Sequence, residues 1–436
     1  MPILWNLYVT FFALGATSFG GGYSMLPVLQ RVISRKRGWA TEAELANYFA
    51  IGRCTPGTIA VNVATFVGLK QCGVKGALVA TFGLISPCFV IITTLGKLFQ
   101  SSSSEGWIAH GLNGVNICVA VLIGHSAWIV VKQAILDKPS GLLFYGVFSS
   151  MVLNYLFPSM HATLDRLSSP IGLIMLSGCL GYLILHGKRN LTDLYPVIGV
   201  IAVLEFSSIF NVVSFIEGIT VVDVLEESVV VDVMETIDVK QWIDWNKLLL
   251  FPALFIEFFK VGMFAIGGGF STIPFLQKVG TNTSWFSSWE LTNMIAVSES
   301  TPGPLGINMA TYVGYETAGY LGALLSTLGI LAPSVLFILL IAKALEQLER
   351  NPVIEGIFYG IRPASAALIV AASLQVADVA FLKEHVVDET VVKSLSPTCV
   401  AVGLLIWGVL SHTPAKNYHP IFLYGFGGIL GIVVAL

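Results

Sequence analysis

The sequence predicts an all-α, polytopic membrane protein built from two homologous halves, and three observations carry that expectation. The 436 residues are 55% hydrophobic and only 11% charged, where a soluble domain carries about 25% charged residues. Several stretches run without Asp, Glu, Lys or Arg for about the 20 residues that a membrane span needs. Two different motifs recur in the same order in the two halves, and repeats decide the fold reading before anything else does.

The first motif, Gly20-Gly21-Gly22-Tyr23-Ser24-Met25-Leu26-Pro27, returns 247 residues later as Gly267-Gly268-Gly269-Phe270-Ser271-Thr272-Ile273-Pro274. Both copies continue into a Leu-Gln pair, Leu29-Gln30 and Leu276-Gln277. The second motif spans Thr55-Pro56-Gly57 to Gly68 and Thr301-Pro302-Gly303 to Gly314, with eight of fourteen positions identical. The expected division is residues 1–190 for the first repeat, 191–247 for an extra span and acidic linker, and 248–436 for the second repeat.

Taken in chain order, Ile3 to Phe19 is apolar and lacks the basic leader of a signal peptide. It stands before Gly20 as Leu248 to Ile266 stands before Gly267, so it reads as the first helix of the repeat. Charge-free runs follow at Gly76–Gly96, Gly106–Val131, Ser140–Ala162, Thr317–Ala342, Ser394–Ala415 and Asn417–Leu436. Ser168–Leu185 is shorter. Leu194–Ile216 carries Glu205, and Gly356–Ala377 carries Arg362. With the motif regions, these make roughly ten to thirteen embedded segments. Glu217 to Asp244 holds eight acidic residues and one lysine, which excludes it from the bilayer core and makes it a polar linker.

Arg31, Arg35, Lys36 and Arg37 follow the first triad, whereas only Lys278 follows the second. Short loops rich in Lys and Arg are cytoplasmic. The two loops therefore read as lying on opposite faces, which favours repeats of inverted topology. His186, Lys188 and Arg189 also favour the cytoplasm.

A net charge of −3 offers no field for nucleic acid. The six cysteines stand singly in apolar sequence and read as small core residues. No phosphate loop, zinc helix or nucleophile elbow occurs, so neither an enzyme activity nor a cofactor or metal is expected.

The motifs carry the chemistry. Thr is a good N-cap, Pro suits the first helical position, and Gly permits close backbone approach. Thr55 and Thr301 accordingly read as the starts of helices inside the membrane, where unpaired N–H groups and the positive dipole end attract anions. Asn62 with Thr65, and Asn308 with Thr311, share a helix face and have hydrogens to donate to an oxyanion. The expected substrate site comprises Gly20, Gly21, Gly22, Ser24, Arg53, Thr55, Gly57, Asn62 and Thr65 from one half. The other half supplies Gly267, Gly268, Gly269, Ser271, Thr301, Gly303, Asn308 and Thr311. The competing reading makes the glycines packing surfaces and the Asn and Thr side chains interhelical glue.

Charges inside spans are costly, about 2.5–3.5 kcal/mol each on insertion scales. The coupling candidates are Glu257, Lys260, Glu299 and Arg362. Glu257 and Lys260 read either as a local ion pair or as a coupling site. Arg53 and Glu299 each stand two residues before a Thr-Pro-Gly. The expectation is that they face each other, Arg53 neutralising an anion and Glu299 exchanging a proton. Arg362-Pro363 of the second half aligns with Asn113-Gly114 of the first.

These residues resemble the chromate ion transporter family in its long, two-repeat form. Phe19-Gly20-Gly21-Gly22-Tyr23-Ser24-Met25-Leu26-Pro27 with Thr55-Pro56-Gly57 carries the resemblance, as do Gly267-Gly268-Gly269, Ser300-Thr301-Pro302-Gly303-Pro304 and Gly360-Ile361-Arg362-Pro363-Ala364. It implies an all-helical secondary carrier in the plasma membrane for chromate or a related oxyanion such as sulfate. The implied transport is efflux, driven by a coupling ion, either a proton or a counter-anion. A passive anion channel and a non-transporting membrane scaffold are the alternatives. The remaining expected partners are the lipid bilayer and, left open, a second copy of the chain.

Overall fold

The computed structural model describes residues 3–18, 28–102, 106–156, 169–186, 245–266, 268–341, 352–387, 390–412 and 420–434. Gly20, Gly21, Gly22, Ser24 and Gly267 lie outside the described residues, as do the 191–244 span and linker, Lys188 and Arg189. The helices of the first half are α1 (Ile3–Thr17), α2 (Glu42–Cys54), α3 (Ile59–Ser102), α4 (Gly106–Ala134), α5 (Lys138–Leu156) and α6 (Pro170–His186). Those of the second are α7 (Trp245–Phe264), α8 (Ile273–Thr283), α9 (Ser288–Ser300), α10 (Leu305–Ile341), α11 (Pro352–Phe381), α12 (Pro397–His412) and α13 (Pro420–Val434). The one departure from an all-α body among the described residues is an antiparallel ribbon. It pairs β1 (Leu382–Val387) with β2 (Thr390–Leu395) and replaces the tight turn that joins α4 to α5.

Each half opens a hairpin in the same way. Thr41 caps α2: its hydroxyl accepts the Glu44 N–H, and the Glu44 carboxylate accepts the Thr41 N–H. Ser287 and Glu290 form the same box on α9. Such boxes satisfy two of the N–H groups that a helix start leaves open. They follow a Thr/Ser-x-x-Glu pattern that was readable in the sequence and was missed.

α3 and α10 are not straight. Each turns back at a glycine with positive φ, Gly73 at +57° and Gly319 at +63°. The result is two packed arms, 59–71 with 74–102, and 305–317 with 320–341. Thr65 Oγ1 lies 2.8 Å from Thr81 Oγ1, although a straight helix would separate them by about 24 Å. Thr311 and Thr327 repeat this contact at 2.7 Å. The shorter arm also returns alongside α2. Lys70 pairs with Glu44 at 2.6 Å, Gln71 Nε2 donates to the Trp39 carbonyl, and Tyr48 stacks on Phe66. Thus α2 and the 59–71 arm form a re-entrant hairpin with Thr-Pro-Gly at its tip.

The inversion of the halves follows from one contact. The base of the first hairpin lies at Lys70 and Gly73. From there the 74–96 run rises about 35 Å, enough to cross the hydrocarbon core of about 30 Å. At its far end Gly96 lies against the ring of Tyr315, beside the turn at Gly319 that marks the base of the second hairpin. The two bases therefore occupy opposite faces, as the unequal basic loops predict.

Two bodies result. In the first, α1 packs on α3, α7 on α10, and α3 on α10. In the second, α4, α5, α6, α11, α12 and α13 pack together, with partners exchanged between halves: α13 lies on α4 and α6 on α11. The exchange uses backbone-to-backbone crossings, Gly114 against Gly427 and Gly360 against Gly181. Small residues at such crossings let membrane helices approach closely. Gly114 therefore corresponds to Gly360, and Arg362 corresponds to Asn116, which corrects the alignment with Asn113-Gly114. Among the described residues four helices are long and apolar enough to cross a membrane, and the chain is an integral, multi-pass membrane protein.

Candidate functional site

The Thr-Pro-Gly motifs break their helices later than expected. Thr55 and Thr301 stand just beyond the ends of α2 and α9 with extended backbones, and the next helices begin at Ile59 and Leu305. The N-cap expectation for the two threonines is therefore corrected. Each hydroxyl donates back to its own helix, Thr55 to the Ile51 carbonyl and Thr301 to that of Ser298. In that role the threonine closes a helix end and does not open the next.

Asn62 and Asn308 hold the breaks together. The Asn62 amide nitrogen donates to the Gly52 carbonyl (3.2 Å), Thr55 Oγ1 (2.9 Å) and the Pro56 carbonyl (3.1 Å). Asn308 makes the same three contacts to Ser298, Thr301 and Pro302 at 3.2, 3.0 and 3.2 Å. A helix end buried in a membrane has carbonyls that water cannot reach, and a side-chain amide is the local donor that satisfies them. Thr65 and Thr311 donate to the Val61 and Ile307 carbonyls. All four side chains are fully buried, so direct coordination of an anion by their hydrogens requires existing bonds to open.

The structure brings the two motif types together across the halves. The Gly57 N–H donates to the Ala265 carbonyl (3.3 Å), and the Gly303 N–H donates to the Ser18 carbonyl (2.8 Å). Ser18 and Ala265 each stand two residues before the first glycine of a triad. Each Thr-Pro-Gly tip of one half is thereby pinned to the broken end of the first helix of the other. Gly57 and Gly303 have φ of +89° and +115°. A Cβ on Gly57 would overlap Ser334, and one on Gly303 would overlap Cys88. Ser334 and Cys88 occupy corresponding positions on the long arms, so each tip glycine packs on the opposite half.

Four chain breaks meet at this junction: the ends of α1 and α7 and the two tips. It also gathers buried polar atoms that lack a protein partner, namely Ser18 Oγ, Thr58 Oγ1, Asn62 Oδ1, Ser298 Oγ and Asn308 Oδ1. Unpartnered buried polar atoms are costly, and their concentration here marks a place suited to water or a polar ligand. Ser271 uses its hydroxyl on the Gly268 carbonyl, and Gly269 packs against Leu305.

The charged candidates separate. Glu257 and Lys260 form an ion pair at 2.7 Å on α7, mostly shielded from solvent. Glu299, in the last turn of α9, is half-buried, and among the described residues no hydrogen bond or ion pair reaches its carboxylate. Arg53 belongs to the last turn of α2, but its side chain lies outside the described residues, and so does the expected pairing with Glu299. Arg362 lies exposed on α11, away from the Thr-Pro-Gly tips in sequence and on the second body.

Comparison with known proteins gives the fold its relatives. The family model described as "Chromate transporter" matches residues 5–182 and again 252–432. An uncharacterized transporter of Methanocaldococcus jannaschii is 26% identical over 86% of this chain and 85% of its own length. A chromate transport protein of Cupriavidus metallidurans is 22% identical over 93% of each chain. A probable chromate transport protein of Synechococcus elongatus is 24% identical over 83% of this chain and 81% of its own. No solved structure matches significantly. With each half matched separately and the two halves locked through the same pair of motifs, the chain belongs to the chromate transporter family, in its long form with two repeats.

Proposed function

We propose that this protein is a secondary active carrier that exports chromate or a related tetrahedral oxyanion, such as sulfate, across the plasma membrane at the expense of an ion gradient. The junction of the four chain breaks carries the reading. Helices broken inside a membrane are tolerated where they are buried in protein or line a cavity, and inverted-repeat carriers bind substrate at such breaks. The tip segments and the free N–H groups at the starts of α3 and α10 then face the anion, with Arg53 neutralising it. Asn62, Thr65, Asn308 and Thr311 hold the breaks in shape. Glu299, enclosed yet without a counter-charge among the described residues, is the proton carrier. Glu257 and Lys260 serve as a structural pair.

Uptake of labelled chromate and sulfate into proteoliposomes, with and without a pH gradient, tests this. The expected flux saturates, rises with the gradient, and shows competition between the two anions. Glu299→Gln keeps competition and loses the response to the gradient. Flux linear in anion concentration and indifferent to the gradient would establish the passive channel instead.

A further inference from the structure

The two bodies touch each other unequally in the two halves. On the side of the second half, α9 packs against α4, α11 and α13, and α8 packs against α11 and α6. Two polar contacts fasten this side. Asn116 Nδ2 on α4 donates to Asn293 Oδ1 on α9 at 2.8 Å, and Gln277 Nε2 on α8 donates to the Ala372 carbonyl on α11 at 3.3 Å. The corresponding elements of the first half are α2 and the segment Gln30–Lys36. Among the described elements these pack chiefly on α3 and on each other. Burial follows the same division. Thr292 is 1% exposed and Asn293 is half-buried, whereas their counterparts Ala46 and Asn47 on α2 are exposed.

The pseudo-twofold relation states what would cover that face. The counterpart of Asn116 is Arg362, and the counterpart of Asn293 is Asn47. The counterparts of Gln277 and Ala372 are Gln30 and Ser126. We propose that the outer face of α2 is a docking surface for α11 of the same chain, closed in a second conformation by Arg362 donating to Asn47 Oδ1 and Gln30 donating to the Ser126 carbonyl. In that conformation the Asn116–Asn293 and Gln277–Ala372 contacts are released. Arg362 is thus a positioning residue of the gate, not a ligand of the anion. The chemistry fits: a guanidinium has only donors, an asparagine carbonyl accepts, and a carbonyl accepts from a glutamine amide. The docked side is opposite the Arg31, Arg35, Lys36 and Arg37 loop, so the present structure opens toward the cytoplasm. This inference rests on the carrier reading, because a carrier needs two alternately closed sides.

Disulfide trapping in membrane vesicles, on the full chain with its native cysteines replaced by serine or alanine, decides it. The pairs are Asn116→Cys with Asn293→Cys, and Asn47→Cys with Arg362→Cys. Each is expected to cross-link, to block chromate flux when oxidised, and to release flux on reduction. Chromate with an imposed pH gradient is expected to shift cross-linking from the first pair toward the second. Spin labels at Asn47 and Arg362 are expected to show a second, shorter distance under the same conditions. A protein that transports chromate yet never cross-links Asn47→Cys with Arg362→Cys, and shows one unchanging distance, overturns the proposal. So does formation of both disulfides in one molecule that still transports. Ungated flux in the unmodified protein defeats the carrier reading separately, since the cross-links and distances are read without reference to flux.

Discussion

Replacing Asn62 by Ala removes the donor that closes the first helix break, and the structure sets the scale of the loss. Two amide hydrogens serve three buried acceptors at 2.9–3.2 Å. A buried acceptor left unsatisfied costs about 1–3 kcal/mol. Two hydrogens cannot serve three acceptors at full strength, and two of the contacts are long, so the lower end applies and the total is about 2–4 kcal/mol. Asn62→Asp is worse. It keeps the shape but replaces the donor by a charged acceptor set against two carbonyls and a hydroxyl. The expected order of thermal stability in detergent is wild type, then Asn62→Ala, then Asn62→Asp, with Asn308 giving the same order. The assay is loss of monodisperse protein on heating, read beside chromate binding. If Asn62→Ala melts with the wild type while chromate affinity collapses, the amide is a ligand and the structural argument fails.

Gly57→Ala and Gly303→Ala place a Cβ on Ser334 and Cys88 at positive φ; the backbone alone costs about 1–2 kcal/mol. Ser334→Gly is expected to rescue Gly57→Ala in part, and an absence of any rescue in melting assays would remove Ser334 as the obstacle. Glu257→Gln alone leaves Lys260 without its carboxylate partner and is expected to destabilise by about 1–3 kcal/mol, below the fully buried range because the pair keeps some exposure. Glu257→Gln with Lys260→Met should recover most of that loss and keep gradient-driven uptake; failure of uptake in a stable double variant would make the pair part of coupling. At the base of the first hairpin, the hydrogen bond from Lys70 leads the Thr41 bonds in holding the Glu44 carboxyl below its ordinary value of 4.5. Its folded pKa is depressed, so its contribution is present above the ordinary value and is lost as pH falls through the folded one. Lys70→Met should move the onset of acid destabilisation to higher pH, measured as melting temperature against pH.

The parts of this fold that were legible in the sequence are those fixed by local chemistry or by repetition. Apolar runs marked the helices, the two copies of Gly-Gly-Gly and Thr-Pro-Gly marked the halves, and Arg35 to Arg37 against Lys278 indicated inversion. The hairpin turns at Gly73 and Gly319 were not legible, because a glycine in a membrane helix is ordinarily a packing residue. The Thr65–Thr81 and Thr311–Thr327 contacts show that the chain reverses. The bonds of Asn62 to the end of α2 were not legible for a related reason. The spacing of Asn62 and Thr65 places them on one helix face, but it does not say whether that face meets a cavity or the end of α2. The pinning of Gly57 to Ala265 and Gly303 to Ser18 joins residues some two hundred positions or more apart, and no single-sequence pattern encodes it.

The residues that match between the halves and those that differ do different work. Asn62 and Asn308, Gly57 and Gly303, Thr65 and Thr311 match because each half must build the same break, and a break has one solution for its carbonyls and its positive φ. The charges do not match: Arg53 stands against Glu299, Lys70 against Glu316, Asn116 against Arg362. The two faces of a membrane meet different solutions, and short loops rich in Lys and Arg are favoured on the cytoplasmic one. Glu44 and Lys70 form an ion pair at one hairpin base, while Glu290 and Glu316 place two acids at the corresponding positions of the other. Identity between the halves therefore fixes the shape of the two breaks, and the departures from identity fix which charges each face presents.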